Sequence, residues 1–330
     1  MWRAFTARRI AAAAAYGGGG ITALGGITFG LVMMEARLAR RIIQATPNGD
    51  PPVAEGRYGA GGGAPLSLVM LGDSTAAGLG VHIPEETPGA VLADGLAAAA
   101  GRPVLLGNVA RPGARSDELA DQAGRALRLR PDVAVIMIGA NDVTGRVPAA
   151  VSVRHLADAV GRLRAGGCEV VVGTCPDLGT IKPLMQPLRW FARRASRQLA
   201  AAQTIAVVER GGRSVSLGDL LGREFAADPT TMFSADRYHP SARGYAAAAG
   251  ALLPSMAHAL GFGPEPRFGV GALPVDVAAA EAAEVSGTEV SGASVAGRER
   301  GPRGRWATLL RRRPTRPDAP SAPETAPDIA

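Results

Sequence analysis

The stretch LSLVMLGDSTAAG, residues 66–78, determines how the rest of the chain is interpreted. An apolar run of strand length ends abruptly in Gly72-Asp73-Ser74, at a bend where a helix is expected to begin. In open α/β sheets, ligands bind just beyond the carboxyl ends of the strands. The stretch therefore predicts an exposed serine hydroxyl on a rigid element. Taken alone, it fits both a nucleophile and an ordinary serine cap at a helix start.

From residue 66 onward, short apolar runs alternate with helical stretches, and a last helix is expected after His239-Pro240. Continuous apolar strands between helices indicate a parallel sheet that is covered on both faces. Five strands joined by right-handed crossovers predict an α/β fold, namely a flavodoxin-like three-layer α/β/α sandwich with a five-stranded parallel sheet. The predicted strands are residues 66–71, 104–108, 133–138, 170–173 and 205–208, and the predicted helices between them are residues 89–100, 117–129, 149–165 and 184–202.

The same patterns divide the chain into four parts. Residues 65–262 are expected to form the α/β domain, and residues 46–64, with their prolines and glycine cluster, a linker. The glycine cluster precedes the first strand, so it is in the wrong place for a dinucleotide fingerprint. Residues 263–330 are dominated by Ala, Glu, Ser, Gly, Pro and Arg. This is a disordered composition, so we predict a disordered basic tail.

Residues 1–45 contain an uncharged run at residues 10–34 with arginines on both sides. A bilayer span takes ~20 residues, so the run is long enough to be a membrane anchor. No clear cleavage site follows a short apolar core, which favours a retained anchor over a removed signal peptide. The alternative is a weakly amphipathic helix packed on the domain. We predict membrane association through this run, with the side of the membrane left open, and a cytoplasmic protein otherwise.

The net charge of +7 says little about partners, because nearly all basic residues are Arg and many lie in the two flanks. Aromatic residues do not alternate with a basic patch, so no nucleic-acid partner is expected. Along one strand, Cys168 and Cys175 would lie about 20 Å apart. That separation is too long for a disulfide, and the spacing predicts no metal site.

Two further motifs fall at predicted strand ends. The segment NVARPGARS, residues 108–116, places Gly113 where a backbone N–H can approach a ligand. The segment GAND, residues 139–142, offers the Asn141 amide as a neutral donor for an oxyanion, while Asp142 is expected to hold the loop. Asp73 is similarly expected to brace its own turn. Each motif alone also fits an ordinary turn.

The segment DRYHPS, residues 236–241, supplies a candidate base. Histidine is the usual general base near neutral pH. Asp236, three residues before His239 on a turn, can reach the imidazole and fix its tautomer. His155 and His258 lie within helical stretches, and His82 has no obvious carboxylate partner. His239 is therefore the predicted base.

In this order, the four motifs resemble those of the SGNH, or GDSL-type, hydrolase superfamily, over roughly residues 66–260. The family's Ser, Gly, Asn and His would be Ser74, Gly113, Asn141 and His239. The resemblance implies a flavodoxin-like fold and a Ser-His-Asp triad completed by Asp236. It also implies an oxyanion hole made of the Ser74 and Gly113 N–H groups and the Asn141 side chain. Thr75 stands where the motif name has Leu, a variation that the family tolerates.

The resemblance implies a serine hydrolase that cleaves carboxylic esters through an acyl-enzyme, without a metal or other cofactor. The expected substrate is a small-molecule or lipid-like ester. The apolar residues 184–191 either wall an acyl pocket or pack as the core of a long helix. Two alternatives remain: a membrane-tethered carbohydrate O-deacetylase, and a catalytically idle module of the same fold that binds a glycan or lipid. The oligomeric state is not predicted.

Overall fold

The computed structural model describes residues 30, 31, 33–35, 37, 38, 41, 49–181, 183–218, 229–262, 270–285, 287–293, 300, 301 and 304–311. Its strands are β1 (Gly56–Tyr58), β2 (Leu66–Gly72), β3 (Val104–Asn108), β4 (Val133–Met137), β5 (Glu169–Gly173), β6 (Arg213–Val215), β7 (Val270–Pro274), β8 (Thr288–Ala293), β9 (Arg300–Gly301) and β10 (Gly304–Arg311). Its helices are α1 (Ser74–Ala77), α2 (Pro88–Ala100), α3 (Leu119–Arg128), α4 (Ala140–Thr144), α5 (Ala149–Ala165), α6 (Leu188–Glu209), α7 (Pro229–Met232), α8 (Ala242–Ala259) and α9 (Val275–Glu284).

The sheet is mixed. Strands β2 to β6 pair in parallel in the spatial order β3-β2-β4-β5-β6. Antiparallel strands extend both edges, with β1 on β3 and with β8, β10 and β7 beyond β6. The predicted α/β class is confirmed, whereas a sheet of five parallel strands alone is not. The carboxyl ends of β2 and β4 lie side by side, with Gly72 opposite Met137.

Successive strand residues point into two different apolar cores. Leu68 and Met70 of β2 pack in one core with α2 and α8, and Val69 and Leu71 pack in another with α3, α5 and α6. All four side chains are fully buried. Because burying one such side chain contributes about 1.5–3 kcal/mol, the two cores hold the strand end before Ser74 rigidly in place.

The predicted strand at residues 205–208 is wrong. These residues are the last turn of α6, and the strand β6 follows after them. An apolar run of four residues does not by itself distinguish a buried helix from a strand. Here Val207 packs in the core beneath the parallel sheet, and Val208 packs against the C-terminal elements. Because this end of α6 is covered on both sides, its sequence lacks helical periodicity.

The prediction of a disordered tail over residues 263–330 is also wrong for the part that the structure describes. Residues of α9, β8 and β10 form a third core with Val208 of α6. Strand β8 continues the sheet beyond β6, where the buried Glu289 pairs with Arg213 at 2.7 Å. The composition misled because an Ala-rich helix and short strands become stable once α6 and β6 cover them. Residues 312–330 lie outside the described residues.

The segment before β2 is also more ordered than a linker. Strand β1 lies within residues 46–64 and pairs with β3. Most of the predicted anchor, residues 10–29, lies outside the described residues. Further on, the carboxylate of the buried Glu35 accepts a hydrogen bond from the Leu188 N–H at 2.9 Å, at the start of α6, where negative charge is favourable. Among the described helices, none is long and apolar enough to cross a membrane.

Candidate active site

Ser74 is the first residue of α1, and only Asp73 separates it from the end of β2. The bend between them requires glycine, because Gly72 has φ +134° and a Cβ there would overlap the Met137 carbonyl of β4. Asp73 caps α1, with its Oδ1 accepting a hydrogen bond from the Thr75 N–H at 2.9 Å. The predicted bracing by Asp73 therefore has a direct structural counterpart.

Two buried glutamines fix the strand ends around this bend. Gln122 of α3 donates to the Gly72 carbonyl at 2.9 Å and accepts from the Gly72 N–H at 2.7 Å. Gln203 of α6 donates to the Ile138 carbonyl at 3.0 Å and accepts from the Cys175 N–H at 2.7 Å. Both amides thus satisfy buried backbone groups that would otherwise destabilise the loops. Sequence reasoning missed them, because an isolated glutamine in a helix carries no distinguishing pattern.

The structure brings Ser74, His239 and Asp236 together. His239 Nε2 lies 3.0 Å from Ser74 Oγ, and His239 Nδ1 lies 2.6 Å from Asp236 Oδ2. His239 and Asp236 come from the loop before α8, far from Ser74 in sequence. All three side chains are buried. The imidazole therefore bridges a hydroxyl and a carboxylate, the geometry that a general base needs.

Asp236 is the centre of its own loop. Its Oδ1 accepts hydrogen bonds from Ser234 Oγ at 2.7 Å and from the N–H groups of Tyr238 and His239 at 2.9 and 3.0 Å. Burial alone would raise the pKa of Asp236, but the hydrogen bonds from His239, Ser234 and Tyr238 outweigh it and hold the pKa well below its usual range. Asp236 is thus a fixed anion beside the imidazole.

The loop that carries Gly113 is tied to helix α4, which carries Asn141. Asn141 Nδ2 donates to the Ala114 carbonyl at 3.0 Å. The buried Asp142 accepts from the Ser116 N–H at 3.2 Å, from Ser116 Oγ at 3.1 Å and from Ser152 Oγ at 2.8 Å. Gly113 itself is exposed with φ +82°.

Backbone hydrogen bonds connect the Gly113 loop and the end of β4 to the bend at Ser74. The Arg111 N–H donates to the Gly72 carbonyl at 3.1 Å, and the Asp73 N–H donates to the Met137 carbonyl at 3.1 Å. Asp142 thus accepts hydrogen bonds from Ser116, in the loop that flanks the bend. Gly113 lies in this loop and Asn141 in α4, and neither lines the apolar cavity beside Ser74.

Comparison with known proteins now adds the family. A family model described as the GDSL-like lipase/acylhydrolase family matches residues 70–247, more than half of the chain. The chain belongs to this family. A GDSL-like esterase of Mycobacterium tuberculosis is 45% identical to it over 242 residues, which are 70% of this chain and 77% of that protein. The chain is accordingly an ester hydrolase.

Two solved structures also resemble this GDSL-type hydrolase. An acetylxylan esterase from Geobacillus stearothermophilus has 18% identity and a TM-score of 0.45, covering 62% of this chain and 98% of that one. A protein named TesA has 23% identity and a TM-score of 0.42, covering 59% of this chain and 98% of that one.

An apolar cavity of about 50 Å³ opens beside Ser74 and His239 of the hydrolase. The loops after β4, β5 and β6 and the loop before α8 contribute its walls. Its apolar lining includes Met137, Ile138, Leu178, Ile181, Leu217 and Phe233. Among the described residues, no group of His, Cys, Asp and Glu side chains is arranged to hold a metal ion.

Neither cysteine of the hydrolase is a candidate nucleophile. Cys168 and Cys175 are both free and buried. Burial raises the pKa of Cys168 to about 12 and that of Cys175 well above its ordinary value. Because the thiolate is the reactive form, both side chains stay neutral and inert near neutral pH.

Asp73 lines the cavity and is buried. Burial raises its pKa to about 6, and the hydrogen bonds from Thr75 and the charge of His239 offset only part of this effect. The native state therefore holds the Asp73 proton more tightly than the unfolded chain does. The bound proton therefore adds to the free energy of unfolding at low pH, and this contribution is lost as the pH rises from about 4 to about 6.

Replacing Asp73 with Asn should remove this loss. The parent should lose about 2–3 kcal/mol of its free energy of unfolding between pH 4 and pH 7 relative to the variant, since Asn carries no titrating proton. Urea unfolding at several pH values measures it. Asp94→Asn, on the exposed face of α2, is the matched control. A difference between parent and Asp73→Asn that stays constant with pH would contradict the prediction.

Proposed function

We propose that this hydrolase cleaves carboxylic esters by acyl transfer to Ser74, with His239 as general base and Asp236 as its orienting carboxylate. The observation that carries the proposal is the continuous chain of hydrogen bonds from Asp236 through His239 to Ser74, at 2.6 and 3.0 Å. Both distances lie within the range that proton transfer requires. The parallel order β3-β2-β4-β5-β6 supports a flavodoxin-like core, in which such a site lies at the carboxyl ends of the strands.

In the first half of the reaction, Ser74 Oγ attacks the ester carbonyl carbon while His239 Nε2 takes the hydroxyl proton. The Asp236 carboxylate stabilises the imidazolium that forms and keeps Nδ1 protonated. The tetrahedral intermediate collapses, the bond to the alcohol oxygen breaks, and His239 returns the proton to the leaving alcohol. The acyl group remains on Ser74. In the second half, water repeats the same steps, releases the acid and restores the Ser74 hydroxyl.

The negative charge of the tetrahedral intermediate needs fixed donors. We assign this role to the backbone N–H groups of Ser74 and Gly113 and to the Asn141 side chain. The Ala114 carbonyl takes one of the two amide hydrogens of Asn141, so the amide is oriented and its second hydrogen is available to the substrate oxygen. Donors that are oriented before the reaction need no reorganisation when the charge develops.

Replacing Asn141 with Ala should lower kcat for p-nitrophenyl acetate by about 10²–10³-fold, the usual effect of losing one such donor. KM should change much less, because the donor acts mainly on the transition state. Thr144→Ala, at the exposed end of the same helix, is the control and should retain activity. A kcat for Asn141→Ala within a few-fold of the parent would remove Asn141 from the proposed oxyanion hole.

A fluorophosphonate probe, which modifies activated serines, tests the proposal as a whole. The parent protein should be labelled on the peptide that contains Ser74, and labelling should stop the hydrolysis of p-nitrophenyl acetate. A catalytically idle module would neither react nor hydrolyse any ester. A panel of short esters, long esters, acyl thioesters and acetylated sugars then ranks the substrates. Labelling at another serine, with full activity retained, would refute the assignment.

A further inference from the structure

The cavity beside Ser74 ends in the core of the protein. Met137, Leu217 and Ala248 line it, and each of these residues is at most 4% exposed and belongs to the core between the sheet and helices α2 and α8. Protein cores are packed as densely as organic crystals. A longer occupant could therefore not extend past these side chains without displacing part of the core.

The outer wall of the cavity is fixed as well. Leu178 and Ile181 form a small separate apolar cluster and line the cavity. The neighbouring Asp177 accepts hydrogen bonds from the Gly179 N–H at 2.8 Å and from Arg197 Nε at 3.0 Å. Ser196 Oγ accepts from the Leu178 N–H at 3.2 Å. The wall loop is thus anchored to α6 and does not readily open to enlarge the cavity.

The size of the cavity limits what can fill it. Its volume is about 50 Å³, and roughly 10–15 Å³ of such space accommodates one water-sized group. The cavity therefore holds about four such groups. With the carbonyl carbon at Ser74 and about four further carbons inside, the longest acyl group that fits has about five carbons.

The charges around the cavity favour a neutral occupant. Two buried carboxylates, Asp73 and Asp177, line it. Asp177 is already paired with Arg193 and Arg197, whose side chains come from α6. Among the described lining residues there is no Lys or Arg to pair with an acidic acyl group. An added carboxylate inside the cavity would be desolvated without a partner, which is costly.

We infer that this cavity is the acyl-binding site and that it selects short, uncharged acyl groups, from acetyl to about pentanoyl. The inference rests on the proposed function, because it requires the acyl group to be attached to Ser74. It assigns the size limit to the cavity floor at Met137, Leu217 and Ala248 and to the wall at Leu178 and Ile181.

The test is a series of p-nitrophenyl esters with acyl chains of two, four, six and eight carbons, measured as kcat/KM on the full-length protein. The parent should be fastest with acetate or butyrate and at least about 10-fold slower with octanoate, since a misplaced methylene costs about 10-fold or more in an apolar pocket. Leu178→Ala should raise the octanoate-to-acetate ratio by about 10-fold. A hemisuccinate ester should react at least about 10-fold more slowly than the butyrate ester.

Leu184→Ala is the matched control, because Leu184 packs against the same small cluster but does not line the cavity. It should leave the chain-length profile unchanged. A parent that is fastest with octanoate, or equal shifts in both Leu→Ala variants, overturns the inference even when Ser74→Ala is inactive. Activity that survives in Ser74→Ala overturns the proposed function and, with it, the acyl site. The two failures are therefore distinguishable.

Discussion

Replacing Ser74 with Ala is expected to lower kcat for p-nitrophenyl acetate by about 10⁴–10⁶-fold, as the loss of a serine nucleophile does in other serine hydrolases. The reason is that Ser74 is the proposed acceptor of the acyl group. His239 is positioned to remove a proton from Oγ, 3.0 Å away, and both cysteines are held as neutral thiols. Steady-state hydrolysis by purified parent and variant, together with fluorophosphonate labelling, measures the effect.

The control for this variant is Ser67→Ala, which removes a hydroxyl from the opposite end of the same strand. Its activity should match that of the parent. Circular dichroism and the thermal midpoint should show that Ser74→Ala is folded, because the bend depends on Gly72, Asp73 and Gln122 rather than on the serine hydroxyl. A folded Ser74→Ala variant that hydrolyses the ester at the parental rate would exclude Ser74 as the nucleophile.

The residues that the structure brings together at the site were predictable because each lies in a short motif. In an open α/β sheet the ligand site lies beyond the carboxyl ends of the strands, so residues 66–78 predict the position of Ser74 from local rules alone, although its side chain is buried rather than exposed. Asp236 and His239 are three residues apart on one turn, and their hydrogen bond at 2.6 Å is also a local consequence of sequence. The motifs do not reveal the long-range packing that brings His239 Nε2 within 3.0 Å of Ser74 Oγ.

Other parts of the fold depend on partners that are distant in sequence. Residues 205–208 have the composition of a strand, yet they form helix because the C-terminal elements cover Val208. Strand β8, in turn, depends on β6 for its hydrogen bonds. Gln122 and Gln203 bind backbone groups more than 25 residues away. Periodicity in a short window reports local burial and carries no information about such partners.

The C-terminal elements also connect to the site, although the family match ends at residue 247. Arg197 of α6 bonds to Asp177 in the cavity wall with its Nε and to Glu284 of α9 with its Nη1, at 3.0 and 2.8 Å. Helix α9 packs against α6 through Ala278 and Ala282. Helix α9, in the segment predicted to be a disordered tail, therefore supports the helix that anchors the wall. Composition alone does not reveal this link, because the bond to the cavity wall is made by a single guanidinium that joins Asp177 to the end of helix α9.

Replacing Asp236 with Asn should lower kcat by about 10⁴-fold, because an amide can no longer hold His239 in the tautomer that accepts the Ser74 proton. The variant should also be less stable at neutral pH. The native state holds the pKa of Asp236 low, so its carboxylate stabilises the fold above the unfolded pKa of ~3.9, and this stabilisation is lost as the pH falls through and below that value. Initial rates at pH 7 and urea unfolding from pH 7 to pH 3 measure the two effects.

Ser234→Ala separates the charge of Asp236 from the support of its loop. This change removes one hydrogen bond to Oδ1, at 2.7 Å, but keeps the carboxylate and its bond to His239 Nδ1. Its kcat should fall by no more than about 100-fold, far less than in Asp236→Asn, since one hydrogen bond to a charged group is worth about 1.5–3 kcal/mol and this one mainly orders the loop. Equal losses in both variants would mean that Asp236 acts by shaping the loop. A loss confined to Asp236→Asn, with a stability deficit that shrinks as the pH falls, supports the carboxylate as the partner of the imidazolium.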